Sequence, residues 1–318
     1  MRLSDRKTIT KALKAKALEL GFAACGVAQT RRLTHREGFL REWLRAGHQG
    51  KMAYMANHFD KRLDPGLLVP GALSVISLAL NYYPAAQQPP GTKCRISRYA
   101  FGKDYHFIIK DKLQILADHL ESIAGPHQYR VFTDSAPVLE RSWAEEAGLG
   151  GTGKNTCFII PRQGSYFFLG EMITNVALEA DPPFKKDLCG KCTRCIDACP
   201  TGAIIEPGKL DAGKCISYLT IELKDPIPEP LRKKCRGWIF GCDICQEVCP
   251  HNRHATPHRH PELKALRPVI TWDDDDWCGM TKEDYNREIR KTASPMGRVK
   301  YEKLMDNIRN TTGDEGCR

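Results

Sequence analysis

The sequence predicts three consecutive parts: an α/β (α+β) N-terminal domain over residues 1–181, a cysteine-rich domain over 182–258, and a short helical C-terminal extension over 259–318 that packs on the core. Three observations support this division. Helical and strand-like hydrophobic patterns alternate up to about residue 181, as in domains that mix both elements. Cysteine, glycine and proline then become frequent, and long apolar segments are few. Two helical patterns return beyond this region.

The individual elements follow from the spacing of the apolar residues. In the N-terminal domain we expect helices over residues 4–20, 34–57, 104–125 and 136–148. Strands are expected over 69–83 and 129–134, and in NTCFIIP and GSYFFLGEMIT, which a turn at Arg162–Gly164 joins. The C-terminal extension has helical patterns over 281–291 and 295–309, and its acidic run Asp273–Asp276 is interpreted as a helix start.

Composition limits the class of protein. The 318 residues are 42% hydrophobic, enough for at least one large core, and the net charge of +10 favours an anionic partner such as nucleic acid. The basic N-terminal segment lacks the apolar run of a secretory signal, and no stretch approaches the roughly 18 apolar residues of a membrane span. We therefore expect a cytoplasmic protein. In a reducing cytosol, fourteen cysteines indicate metal binding and not a disulfide framework.

The cysteines fall into two related runs. CGKCTRCIDACP has the pattern C-x2-C-x2-C-x3-C-P, and CDICQEVCP has C-x2-C-x3-C-P. In bacterial two-cluster ferredoxins, three closely spaced thiolates hold one [4Fe-4S] cluster, and the cysteine before proline ligates the other cluster. This rule assigns one cluster to Cys189, Cys192, Cys195 and Cys249. The second cluster takes Cys199, Cys242 and Cys245 and needs a fourth thiolate.

Two cysteines compete for the fourth position. We select Cys215 because KCISYLTIE places it at the start of a predicted helix, which leaves Cys235 as a buried thiol. Zinc is the alternative metal, but zinc ribbons seldom contain a three-cysteine run followed by C-P, and two copies are rarer still. The remaining cysteines are interpreted as small hydrophobic residues: Cys25, Cys94, Cys157, Cys235, Cys278 and Cys317.

A glycine-rich segment, GLGGTGKNT, matches G-x-G-x-x-G but follows a predicted helix and opens a strand. A dinucleotide fingerprint has the opposite order, and Asn155 stands where a P-loop needs Ser or Thr. We interpret the segment as a tight loop that brings backbone close to a ligand, with Lys154 as a candidate phosphate contact.

Several motifs together resemble the epoxyqueuosine reductase family: KCTRCIDACPTGAI, KCISYLTIE, GCDICQEVCPHN, SRYAFGKDYH, TDSAPVLERSWAEEAGLGGTGKN and GSYFFLGEM. The resemblance runs from about residue 10 to 310. It implies a cobalamin-binding N-terminal domain, a ferredoxin-like domain with two [4Fe-4S] clusters, and the same eight cysteine ligands, Cys215 included. It also implies reduction of epoxyqueuosine to queuosine at the wobble position of tRNA. Many members continue into a C-terminal helical-repeat domain, so we expect a short form without it.

The resemblance also implies site residues. Asp134 ends the predicted strand YRVFTD and would be the proton donor for the departing epoxide oxygen, with loss of solvent raising its pKa. Without the resemblance, a helix N-cap would be the preferred role of Asp134. The positions implied to contact cobalamin are Asn57, Ser97, Asp134, Phe158, Leu169, Cys242 and Asp243; apolar packing is the competing role for Phe158 and Leu169. The candidates for contacts with tRNA phosphates are the basic residues Arg141, Lys154, Lys214, Lys224 and Arg232.

Two other functions remain open from the sequence. A reductive dehalogenase also joins a corrinoid to two clusters, but it usually has a twin-arginine export signal, and Arg31–Arg32 are not followed by an apolar export segment. A ferredoxin-type electron carrier would need no corrinoid. The preferred function requires a one-electron donor of the flavodoxin or ferredoxin type, and we expect a monomer with no membrane association.

Overall fold

The structure is a computed structural model that describes residues 3–313. Its ten strands within these residues are β1 (Ala24–Gln29), β2 (Ser74–Asn81), β3 (Arg95–Ile96), β4 (Tyr129–Phe132), β5 (Gly151–Thr152), β6 (Phe158–Ile159), β7 (Phe167–Thr174), β8 (Ile204–Glu206), β9 (Lys209–Leu210) and β10 (Trp238–Phe240). The α-helices are α1 (Leu3–Glu19), α2 (Thr34–Arg45), α3 (Phe59–Leu63), α4 (Tyr105–Ala124), α5 (Glu140–Glu146), α6 (Arg194–Ala198), α7 (Ile216–Ile221), α8 (Glu229–Arg232), α9 (Ile244–Glu247), α10 (Arg267–Thr271), α11 (Asp274–Cys278), α12 (Lys282–Asp284) and α13 (Tyr301–Thr312).

The main sheet has four strands in the order β1-β2-β7-β4, and every neighbouring pair is antiparallel. Successive side chains of a strand point to opposite faces, so β7 serves two cores. Phe168 and Met172 join the core beneath α1 and α4, whereas Leu169 and Ile173 join the core beneath α5. The α+β class is confirmed. The sheet is antiparallel, so the rule that places sites at the carboxyl ends of parallel strands does not apply here.

Glycine at position 26 lets α5 pack closely on β1. A Cβ built there would lie 2.1 Å from the carbonyl oxygen of Ala147, a backbone atom that cannot rotate away. We expect Gly26→Ala to reduce the free energy of unfolding by about 1–3 kcal/mol, as overpacking of a core does.

Thermal or urea unfolding measures this change. Gly38→Ala is the matched control, because Gly38 lies on exposed α2 with nothing within 4 Å of its Cβ position. The control should be neutral or slightly stabilising. Equal stability of the two variants would contradict the packing of α5 on β1.

Several predicted elements differ from the observed ones. The helix predicted over 34–57 is wrong beyond Arg45, because left-handed Gly47 and Gly50 interrupt it. The helix predicted over 136–148 shortens to α5. Strand β1 was not predicted, since ACGVAQ has few β-branched or aromatic residues. Strands β6 and β7 do not form a hairpin; β6 pairs with β5, and one isolated bridge joins Ile160 to Gly164.

The cysteine-rich region folds as short helices and two-stranded pairs. Helices α6 and α9 contact each other, β8 pairs with β9, and β10 pairs in parallel with β3 from the N-terminal part of the chain. Leu40 and Trp43 of α2 pack in one core with α7 and Trp238. The Trp43 indole donates a hydrogen bond of 2.7 Å to the carbonyl of Leu210. This shared core fixes the cysteine-rich region against the N-terminal region.

The C-terminal extension packs on residues 94–101 and on β10. Asp273 caps α11 in a capping box with Asp276, which confirms that the acidic run starts a helix. The helix predicted over 281–291 is α12 followed by a π-helical segment, Tyr285–Arg290, and the one predicted over 295–309 is a 3₁₀ turn followed by α13. Among the helices of residues 3–313, none has the length and apolarity needed to cross a membrane.

Candidate active site

Four thiols surround a small cavity at the junction of α6 and α9. The lining thiols are Cys189, Cys192, Cys195 and Cys249, the set that the sequence assigns to one cluster. The backbone N–H of Lys154 donates to Cys189 Sγ at 3.4 Å, and its side chain donates to the carbonyl of Gly190 at 2.6 Å. Lys154 therefore ties the glycine loop to the first cysteines of the run. The thiols surround an enclosed space, as the corners of a [4Fe-4S] cluster require.

The other four predicted ligands line a second cavity of about 240 Å³. These are Cys199, Cys215, Cys242 and Cys245. Cys215 immediately precedes α7, where its predicted position was, whereas Cys235 is 1% exposed in the core that contains Trp238. Burial raises the pKa of Cys199, but hydrogen bonds from Thr201 and from backbone N–H groups outweigh burial and bring this pKa below its ordinary value. A thiolate, the form that binds iron, is thus stabilised at this position.

A third cavity, of about 470 Å³, opens to the surface beside the second one. Thr156, Cys157 and Gln246 line both cavities and so form a common wall. Cys157 is not simply a packed hydrophobic residue, because its thiol lies within hydrogen-bonding reach of Cys245. Apolar and polar side chains both make up a large share of the lining of the open cavity. We call it the open cavity below.

Asp134 lies at the polar side of the open cavity. It follows β4 in a loop with a left-handed φ of 55°. Its Oδ2 accepts hydrogen bonds from the Tyr105 hydroxyl at 2.7 Å and the His106 Nε2 at 3.3 Å, and Arg298 lies 3.7 Å away. The N-cap role is wrong, because the N-cap of α5 is Leu139. Asp134 faces the cavity with 48% of its side chain exposed.

The contacts of Asp134 with protein groups oppose the rise in its pKa that we expect from a neighbouring corrin and loss of solvent. Burial raises this pKa, but hydrogen bonds from His106 and Tyr105 and the charge of Arg298 outweigh it, so the pKa lies below its ordinary value. For His106, burial and hydrogen bonding change the pKa in the opposite directions. Burial lowers its pKa, whereas its bonds to Asp104 and Asp134 raise it to about 9. At neutral pH the two groups are therefore an aspartate and a histidinium.

The Asp104–His106–Asp134 contacts make stability depend on pH. The pKa of His106 is raised above the 6.5 of an ordinary histidine, so its stabilisation is complete below about pH 6.5 and is lost as pH rises through about 9. We expect up to about 3 kcal/mol of such stabilisation. His106→Gln should flatten the stability difference between pH 6 and pH 10, measured by unfolding in urea.

His35→Gln is the control, because His35 is half exposed and lies 3.5 Å from Glu146 on the surface. It should retain the wild-type dependence on pH. A wild-type pH dependence in His106→Gln would mean that the contacts with Asp104 and Asp134 do not hold the histidinium.

The remaining residues implied to contact a corrinoid separate into three groups. Phe158 and Leu169 line the open cavity, and Ser97, Cys242 and Asp243 line the adjacent thiol cavity. Asp243 is fully buried; its carboxylate accepts from the Ser97 hydroxyl at 2.5 Å and from a backbone N–H at 2.8 Å. Asn57 lines neither cavity. Its carbonyl accepts from Arg62 at 3.2 Å, and Arg62 lines the open cavity.

The five basic residues do not form one patch with a common role. Arg141 lines the open cavity and donates to the carbonyl of Thr156, and Lys154 is engaged with the Cys189–Gly190 backbone. Lys214 and Arg232 are about half exposed and pair with neighbouring carboxylates, and Lys224 is exposed. The last three are accessible to a phosphate backbone. Tyr105, His106 and Arg298 were not predicted, because they join Asp134 only in the folded chain.

Comparisons with known proteins agree with this arrangement. Residues 188–252 match the model of a 4Fe-4S double cluster binding domain, and residues 62–135 match the model described as epoxyqueuosine reductase QueG, DUF1730. The epoxyqueuosine reductase of Cyclobacterium marinum is 48% identical over 300 residues, which cover 94% of this chain and 95% of the relative. That of Pseudomonas aeruginosa is 42% identical and covers 96% and 85% of the two chains.

Solved structures show the same fold. An epoxyqueuosine reductase with an epoxyqueuosine-modified tRNA-Tyr stem loop has a TM-score of 0.88 at 31% identity and covers 96% of this chain and 80% of that chain. The Bacillus subtilis epoxyqueuosine reductase, with an aspartate catalytic loop swung out of the active site, has a TM-score of 0.84 at 31% identity over 96% and 81%. On this sequence identity and coverage, the chain belongs to the epoxyqueuosine reductase family.

Proposed function

We propose that this chain reduces epoxyqueuosine to queuosine at the wobble position of tRNA, with electrons delivered through two [4Fe-4S] clusters to cobalamin and with Asp134 as proton donor. One observation carries the proposal beyond family membership. The thiol cavity of Cys199, Cys215, Cys242 and Cys245 shares a wall with the open cavity, and Asp134 lies in that open cavity. Electron supply and proton supply therefore meet in one place.

The donor set fits two clusters. Each of the two thiol cavities is lined by the four predicted ligands of one cluster and draws them from both cysteine runs, which is the crossed arrangement of bacterial two-cluster ferredoxins; Cys157 also lines the second cavity. The cluster of Cys189, Cys192, Cys195 and Cys249 would take electrons from a flavodoxin- or ferredoxin-type donor. The cluster of Cys199, Cys215, Cys242 and Cys245 would pass them to the open cavity, because the two cavities share lining residues.

The lining of the open cavity offers contacts that suit a corrinoid. Phe158 and Leu169 offer apolar surface, and Ser97, Cys242 and Asp243 lie just behind the common wall. Asn57 would act indirectly, because its carbonyl accepts a hydrogen bond from Arg62, which lines the open cavity. A bound cobalamin supplies low-potential two-electron chemistry that the amino acids of this chain lack. An electron carrier without a corrinoid would leave this cavity and its aspartate without a role.

Asp134 is placed to move a proton. Removal of an epoxide oxygen to leave an alkene consumes two electrons and two protons and releases water, so at least one positioned acid is needed. The ionised Asp134 carboxylate must first gain a proton. The Tyr105 hydroxyl is closer, at 2.7 Å, but burial raises its pKa, so the histidinium of His106 at 3.3 Å is the better proton source. His106 acts as a positioning residue that also holds the carboxylate toward the cavity.

The RNA would lie across the mouth of the open cavity. The accessible cations Lys214, Lys224 and Arg232 would contact phosphates, and Arg141 would contact the substrate end nearer to the cavity. We further propose that residues 1–181 act as the cobalamin domain, 182–258 as the cluster domain and 259–318 as a packing extension. The working form would be a cytoplasmic monomer.

The direct test uses anaerobically reconstituted protein, cobalamin, a chemical reductant and tRNA that carries epoxyqueuosine. Nucleoside mass analysis should show the loss of one oxygen from the modified nucleoside. The reaction should stop when cobalamin is omitted. Epoxide that persists in the complete mixture, with both clusters verified by iron content, would refute the proposed substrate.

A further inference from the structure

A buried carboxyl group lies beneath the floor of the open cavity. Glu171 is in the middle of β7, has no solvent exposure, and points to the face of the sheet that α5 covers. Neither of its oxygens has a hydrogen-bond donor. On the adjacent strand, its register partner Ser77 also has a buried oxygen without a partner. An ionised carboxylate in such a place would cost several kcal/mol, as for other unpaired buried charges.

Glu140 lies between this buried group and Asp134. It opens α5, and its Oε1 accepts a hydrogen bond from the backbone N–H of Asp134. Its carboxyl lines the open cavity and is within hydrogen-bonding reach of Glu171. Two ionised carboxylates have only acceptor atoms and cannot bond to each other. The contact is favourable when one of the two carries a proton.

The electrostatic surroundings favour retention of that proton. Burial, followed by the charge of Asp134, raises the pKa of Glu140 to about 8, and burial and the proximity of Glu140 raise that of Glu171 well above its ordinary value. The charged groups that face Glu140 are Asp134, Arg141 and His106; the cations oppose this shift but do not cancel it. Carboxyl pairs of this kind titrate as a unit.

We propose that Glu140 and Glu171 share a proton at neutral pH and that Glu140 delivers it to the open cavity as the second of the two protons consumed in the reduction. This inference rests on the proposed function. Asp134 protonates the epoxide oxygen as the first carbon–oxygen bond breaks. The second carbon–oxygen bond breaks with the proton of the pair, which leaves as part of water, while two electrons enter through the clusters. The pair changes from one negative charge to two and is reprotonated from solvent between turnovers.

Infrared spectroscopy of cluster-loaded, cobalamin-free protein tests proton sharing without any turnover. The wild-type protein at pH 7 should show a carboxylic acid carbonyl band that shifts in D₂O and declines as pH rises through about 8. The band should move in frequency in Glu171→Gln and in Glu140→Gln, both nearly isosteric, because each substitution removes one of the two groups that share the proton. Glu121→Gln, an exposed change on α4, is the control and should retain it. A wild-type spectrum identical to that of Glu171→Gln would overturn the proposal.

Single-turnover reduction tests delivery of the proton. We expect Glu140→Gln to lower the rate by about 10²-fold and to remove the alkaline decline near pH 8, with cobalamin affinity unchanged. Glu171→Gln should move that decline to lower pH, because Glu140 no longer shares a proton. If Glu140 and Glu171 served only for packing, neither substitution would change how the rate depends on pH. Wild-type pH profiles in both variants would overturn the inference, whereas an inactive wild-type enzyme would refute the proposed function and leave the infrared result standing.

Discussion

Asp134→Asn is expected to lower the rate of epoxide reduction by about 10²–10⁴-fold, the range that a positioned acid contributes. The amide retains the shape of the side chain and can still contact Tyr105 and His106, but it has no transferable proton. Single-turnover assays of the variant with epoxyqueuosine-containing tRNA measure the rate. The visible spectrum of added cobalamin and a tRNA-binding assay should be close to those of wild type, because neither depends on that proton.

Asp118→Asn provides a matched control. Asp118 lies on the exposed face of α4 and accepts a hydrogen bond of 2.7 Å from Gln114, away from the open cavity. Its variant should reduce the epoxide at the wild-type rate. If Asp134→Asn does so as well, Asp134 is not the donor, and Glu140 becomes the first candidate because it lines the same cavity.

The strand predictions show what local pattern can and cannot provide. A long apolar run such as that around β2 and β7 identifies a buried strand, although its ends are overestimated. β1 could not be found in this way. Position 26 requires glycine because α5 packs against the backbone of β1. This requirement comes from tertiary packing, and the β-strand propensity of ACGVAQ does not reveal it. Likewise, Gly47 and Gly50 end a helix whose apolar spacing continues past them.

The residues of the candidate site likewise include some that the local sequence predicts and some that it does not. The ferredoxin spacing rule predicts the first thiol set and three members of the second, whereas the choice of Cys215 over Cys235 depends on its place at the start of a predicted helix. The surroundings of Asp134 are assembled from α4, the loop after β4 and the C-terminal extension, so no local pattern reveals Arg298 or the sign of the pKa shift. The sequence does contain one sign of Glu171, because it is an acidic residue within the apolar strand FFLGEMIT. Its role can be inferred only from its contact with Glu140 in the folded chain.

Cys215→Ser and Cys235→Ser should differ sharply although both cysteines lie between the two cysteine runs. Cys215 lines the cavity with Cys199, Cys242 and Cys245, whereas Cys235 is packed in the core with Trp238. Loss of one thiolate ligand should empty or degrade one cluster, so the iron content of Cys215→Ser should fall from about eight to about four atoms per chain. Reduction of the epoxide should fall to background with it, because this cluster borders the open cavity.

Cys235→Ser should retain both clusters and lose only a modest amount of stability, on the order of 1 kcal/mol, since a hydroxyl replaces a buried thiol. Iron and sulfide analysis together with low-temperature electron paramagnetic resonance of the reduced proteins distinguishes the two variants. The reverse outcome, with full iron in Cys215→Ser and half in Cys235→Ser, would reassign the fourth ligand and require α8 to move toward the cavity. Because Cys235 immediately follows this helix and its thiol contacts the Leu231 carbonyl at 3.4 Å within the core, that movement would break the packing around Trp238. We therefore expect Cys215, and not Cys235, to be the fourth ligand.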